Sequence, residues 1–208
     1  MSDARTEVLA RIRRAIADAP VPEVARDYRQ AGEHPRGSPV LLDLLTDRLE
    51  DYRATVHRTT EAGLADTVAA ALAATVPASE RVVIPPGLPA AWVPERAVVD
   101  DGRLDWGDLD RVGGVLTACA AAAAETGTIV LDGSPDQGRR AITLIPDRHV
   151  CVVRAAQVVQ TVPELLARLD PLRPLTFVSG PSATSDIELQ RVEGVHGPRT
   201  LVVVIAAP

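Results

Sequence analysis

Leu201-Val202-Val203-Val204-Ile205 is a stretch of five branched aliphatic residues with no polar break, and its reading decides the fold. A strand with one wet face alternates apolar and polar residues. A strand without that alternation needs cover on both faces, as in a parallel sheet layered between helices. Shorter runs of the same kind recur upstream at 175–178, 150–153, 128–131, 114–118, 97–99 and 81–84, the last stopped by Pro85 and Pro86. Residues 55–60 add a further short strand. Between these runs, Leu41, Leu42, Leu44, Leu45, Leu49 and Tyr52 fall on one face of a helix, and 64–75 reads as an Ala-rich helix. Residues 161–170 read as a helix capped by Thr161, with Pro163 in its first turn. The run 119–126 has helical composition but is short, and its conformation stays open. Alternating strands and helices make an open α/β fold.

The 208 residues suit one domain with a sizeable core, and a hydrophobic fraction of 46% supports a folded chain. Aromatics contribute 2% and the net charge is −6, which argues against both base stacking and a basic phosphate-binding footprint, so no nucleic-acid partner is expected. All 22 basic residues are Arg; without Lys there is no Schiff-base chemistry, pyridoxal phosphate attachment or P-loop lysine. Cys119 and Cys151 stand far apart, whereas iron–sulfur clusters and structural zinc need about four soft ligands. Both read as buried, inert thiols. The four histidines lack metal-ligand spacing, so neither metal nor cofactor is expected. No apolar stretch approaches the length of a membrane span and the N-terminus is polar, which predicts a cytoplasmic protein without membrane insertion.

Three regions follow from periodicity. Residues 1–19 form an N-terminal amphipathic helix with Val8, Leu9, Ile12 and Ile16 on one face. Residues 20–39, rich in Pro, Gly and charge, form a linker, and 40–208 form the α/β domain. The helix is suited to docking on the main body or on a neighbouring subunit.

Ligands in open α/β sheets bind where strands end, which draws attention to three segments. In LTFVSGPSATSDIE (175–188) a strand runs into Gly180–Pro181 and small hydroxyl residues that predict a helical turn. Ser182 or Thr184 would cap it, and Ser185 with Glu188 has capping-box spacing. Such a start is either an anion site or only a well-capped helix. In Glu125-Thr126-Gly127-Thr128, Glu125 reads as a general base or nucleophile, or as a turn carboxylate paired with an Arg. In Gly194-Val195-His196-Gly197-Pro198, His196 is placed either to polarise a carbonyl or to fix its own loop. Arg139 and Arg140 read as contacts for an anionic ligand or as a solvated pair, and His149 only as the residue before a strand.

The segments AETGTIVL (124–131), IPDRHVCVV (145–153) and SGPSATSDIE…GVHGPRTLVVVI (179–205) together resemble the LUD domain family, with Ser185 standing where that pattern has Ala. The resemblance implies a three-layer α/β fold of the NagB/RpiA/CoA-transferase-like superfamily, an open, mainly parallel sheet with helices on both faces. It implies a subunit of a system oxidising L-lactate to pyruvate, without a redox cofactor of its own, which binds lactate or a small anion and works with iron–sulfur subunits. The site residues it suggests are Glu125, Asp186 and His196 for catalysis, with Thr126, Gly127, Thr128, Gly180, Ser182, Thr184 and Gly197 for ligand binding. The alternative is an independent acyl- or CoA-transferase, isomerase or ligase on the same fold. That reading requires Glu125 and His196 to face one cleft.

Overall fold

The computed structural model describes residues 3–184, 192, 193 and 196–208, with the backbone alone at 183, 184, 192 and 193. After helix α1 (Ala4–Ala15), the chain runs through α2 (Pro39–Asp51), β1 (Thr55–Thr60), α3 (Leu64–Thr75), β2 (Val82–Ile84), β3 (Ala97–Val99), α4 (Trp106–Asp110) and β4 (Gly114–Thr117). Then come β5 (Ala121–Ala123), β6 (Thr128–Leu131), β7 (Arg148–Arg154), β8 (Val158–Val159), α5 (Val162–Leu166) and β9 (Thr176–Val178). A short hairpin, β10 (Ala183–Thr184) with β11 (Val192–Glu193), precedes β12 (Thr200–Ala207).

The apolar run that opens the sequence reading is β12. It lies within a six-stranded sheet of order β1-β12-β7-β4-β2-β3 in which every neighbouring pair is parallel. Val202, Val204 and Ala206 join Val150, Val152 and Leu116 beneath α3, whose Leu64, Val68 and Leu72 are buried there. Leu201, Val203 and Ile205 point the other way, with Cys151 and Val153, onto Leu41, Leu42, Leu45 and Leu49 of α2. Both faces are therefore dry, which is why the strand shows no polar alternation.

On the α2 side the helix shares its cover with a second sheet of order β8-β5-β6-β9. The short run with helical composition proves to be β5, antiparallel to β6 and parallel to β8, with all three alanines buried. Pairing with flanking strands outweighs alanine's helix preference here, and the absence of bulk lets the two layers approach. Capping boxes start α4 (Asp105 with Asp108) and α5 (Thr161 with Glu164).

Helix α1 buries no residue; Val8 and Ile12 are 54% and 50% exposed. The following segment is anchored in its second part. Gly37 N donates to Val158 O at 2.9 Å, and Gln160 Oε1 accepts from Glu33 N at 2.7 Å and His34 N at 2.9 Å. Among the described residues no helix is long and apolar enough to cross a membrane.

Candidate functional site

In the large sheet the chain progresses outward from β2 to β3, then in the opposite direction through β4, β7 and β12. The crevice expected for a ligand therefore opens between the C-terminal ends of β2 and β4. The protein fills it with its own chain. Gly87 N donates to Pro135 O at 2.8 Å and Ala118 N to Asp136 O at 3.0 Å, so loop 132–138 closes the gap. Gln137 braces that loop from inside, its Oε1 accepting from Asp132 N at 2.6 Å. Beside the loop lies a cleft of about 710 Å3 lined by Pro86, Leu131, Pro135, Arg139, Arg140 and Thr176. Arg139 does not reach outward as a free cation: Nε and Nη2 hold Asp100 at 2.8 and 3.0 Å, and the Asp100 side chain is only 3% exposed.

Arg140, Thr143 and Thr176 also line a smaller cavity of about 230 Å3, between the starts of β7 and β12 and the end of β9. Four of the expected site residues, Gly180, Ser182, His196 and Gly197, line this cavity. Ser182 Oγ accepts from His196 N at 3.0 Å, and Ser182 N donates to Pro198 O at 2.8 Å, which clamps the two loops together. No helix starts directly after Ser182: residues 183 and 184 continue into β10, which corrects the expectation of Ser182 as a helix cap. Of Thr184 only the backbone is described, and Asp186 lies outside the described residues, as do Ser185 and Glu188.

Glu125 is elsewhere. Its carboxylate pairs with Arg29 and accepts from Gln160 Nε2 at 2.9 Å. The Gln160 bond is the largest influence and holds its pKa below the ordinary carboxylate value; burial opposes it, and Arg29 adds to the lowering. It does not line the cavity that His196 lines. The rest of its segment does approach that cavity. Thr126 and Thr128 hydroxyls bond at 2.8 Å, and Thr128 Oγ1 bonds Ser179 Oγ, a cavity residue, at 2.9 Å. Gly127 (φ +58°) passes against α2, where an added Cβ would lie 2.9 Å from Arg48 Cβ.

Two residues given little weight in the sequence contribute most to the cavity's chemistry. His149, on β7, is buried, lines the cavity and bonds Thr117 Oγ1 through Nε2 at 2.8 Å. Thr117 in turn donates to Cys151 Sγ at 3.9 Å. Cys119 and Cys151 are both buried, and neither is in a disulfide. Interaction with Cys119 and with His149 draws Cys151's pKa down, while interaction with Cys151 and burial push Cys119's up. Arg140 donates from Nη1 to Thr143 Oγ1 at 3.1 Å and from Nη2 to His196 O at 3.3 Å. The sequence signal for His149 was its parity with Cys151 and Val153, which puts a polar ring on a buried face. Among the described residues no three His, Cys, Asp or Glu side chains converge as a metal site.

The LUD domain pattern matches residues 109–206, which takes in β4 to β11, all but the last residue of β12, and every residue named for the 230 Å3 cavity. Lactate utilization protein C of Deinococcus radiodurans is 46% identical over 98% of this chain and 96% of its own length. The chain belongs to the LUD domain family. A second LUD relative, lactate utilization protein C of Anoxybacillus flavithermus, is 30% identical over 76% of each chain. The crystal structure of a DUF162 family protein from Deinococcus radiodurans superposes with a TM-score of 0.67 at 40% identity, over 80% of this chain and 96% of that one. The LUD fold is the mainly parallel α/β arrangement described above, with α3 on one face of the sheet and α2 on the other.

Proposed function

We propose that this LUD protein is a subunit of a cytoplasmic lactate-utilization system. It acts without a redox cofactor of its own in the oxidation of L-lactate to pyruvate, beside iron–sulfur subunits that carry the electrons. The observation that carries this reading is the near full-length match to lactate utilization protein C of Deinococcus radiodurans, at 46% identity. The ligand chemistry agrees with it. Two cysteines offer too few thiolates for a cluster of four soft ligands, so any iron–sulfur cluster of the system sits on another chain. On this reading the cavity between Ser182, His196 and Arg140 holds the small anion, and α1, with its apolar face uncovered, serves for docking.

The test is complementation. A Deinococcus radiodurans strain lacking its own lactate utilization protein C is supplied with this chain, tagged, and grown on L-lactate as sole carbon source. The expected result is restored growth, with iron–sulfur proteins co-purifying on the tag. Stable expression without growth on lactate, alongside normal growth on glucose, would overturn the assignment.

A further inference from the structure

Arg140 differs from the other arginines of the two cavities it lines. Arg139 is matched by Asp100 and Arg173 by Asp132 at 3.4 Å. Arg140 is half-buried, and no described carboxylate pairs with it. Its two hydrogen bonds go to a neutral hydroxyl and a backbone carbonyl. Burial pulls its pKa down, and no described carboxylate acts against that. A guanidinium has five N–H donors in a planar fork, so most of this one's capacity is unused. A half-buried cation without a counter-ion is relieved by an anion in the adjoining space.

We propose that Arg140 and His149 form a seat for a small monocarboxylate that carries a hydroxyl or keto oxygen on the carbon next to its carboxyl group. One uncompensated cation calls for one negative charge, and the planar fork fits a carboxylate through two parallel bonds. Thr117 Oγ1 gives its one proton to Cys151 Sγ, so His149 Nε2 donates to Thr117. Nδ1 is left to accept from a hydroxyl on the carbon next to the carboxyl group, while a keto oxygen there takes its bond from the Ser182 hydroxyl. The Ser182 hydroxyl accepts from His196 N, which leaves its own O–H to donate. Val178 and Leu201 supply apolar wall for a short carbon chain. At about 230 Å3 the cavity is smaller than the usual range for larger ligands, about 300 Å3 and above. The inference rests on the reading that this cavity holds the anion, and it names that anion's class and its two principal partners.

The test is titration of the full chain, followed by ligand-observed NMR, with L-lactate, pyruvate, propionate and inorganic phosphate. Lactate and pyruvate are expected to bind, and propionate, which lacks the oxygen on the carbon next to its carboxyl group, about tenfold more weakly. Arg140→Gln should weaken lactate and propionate alike, by roughly 100-fold. His149→Phe should weaken lactate to the level of propionate and leave propionate unchanged. Thermal unfolding of each variant establishes that it folds. If the buried His149 variant fails to fold, the lactate-to-propionate ratio of the natural chain tests the same contact. Equal affinity for lactate and propionate removes His149 from the seat. Unchanged binding in Arg140→Gln, phosphate binding more tightly than lactate, or no binding of any acid overturns the seat as a whole. Complementation reads the lactate role separately: growth without binding leaves that role standing and removes this site.

Discussion

Gln160 Nε2 donates to Glu125 Oε1 at 2.9 Å while its Oε1 holds the backbone amides of Glu33 and His34. One buried amide thus ties the carboxylate singled out in the sequence to the segment preceding α2. Glu125 is the outer half of a latch, paired with Arg29 of that same segment. Gln160→Ala removes three neutral or charge-assisted bonds and should destabilise the protein by about 1–3 kcal/mol. It should also speed tryptic cleavage at Arg26 and Arg29, which limited proteolysis reads directly.

The latch has a pH dependence of known sign. Glu125 has a lowered pKa in the folded chain, so its contribution is complete above the ordinary value of 4.5 and is lost as pH falls through the folded value. Tryptic or thermolytic nicking near Arg29 should accelerate below that range in the natural chain. In Glu125→Gln the acceleration should be absent, and a pH series of cleavage rates distinguishes the two.

Gly180 has φ +83°, and a Cβ there would sit 2.5 Å from Tyr52 Cβ at the end of α2. Gly180→Ala should cost about 1–3 kcal/mol from backbone strain alone, plus the displacement of Tyr52. A lowered Tm with unchanged far-ultraviolet circular dichroism is the expected outcome, and ligand binding should weaken because Gly180 lines the cavity.

Asp100 is buried against Arg139, whose side chain is 38% exposed. Asp100→Asn leaves the shape and removes the charge. Because solvent screens the arginine, the loss should be about 1–3 kcal/mol, below that of a fully buried pair. Chemical denaturation at low and high salt measures it, with a smaller difference at high salt.

Cys119 and Cys151 are each about 1% exposed. Access, not acidity, should govern their reactivity, even with Cys151's pKa drawn down. Ellman's reagent should label neither thiol in the native protein and both in denaturant. Prompt native labelling would show that the core opens around β4 and β7.

Much of the fold was legible because the signals are local. The uninterrupted aliphatic run at 201–205, the Leu spacing of α2, the Pro85–Pro86 stop after β2 and the Thr161 cap of α5 all appear where expected. β5 was not legible: three alanines carry no strand signal until β6 and β8 flank them. Ser182 misled for a related reason. A hydroxyl after Gly180 suits a helix cap, and only the pairing of 183 and 184 with 192 and 193 makes the next two residues a strand.

By itself the sequence determined the α/β class, the double-sided burial of β12 and the LUD membership, because periodicity and motif strings are properties of neighbouring residues. Tertiary structure alone decided what the site is made of. It set Glu125 on Gln160 and Arg29, away from His196, and filled the expected crevice with loop 132–138. It also brought Arg140 and His149 to one cavity with Ser182. Whether a charge is paired depends on what lies across the fold from it, and no spacing along the chain records that.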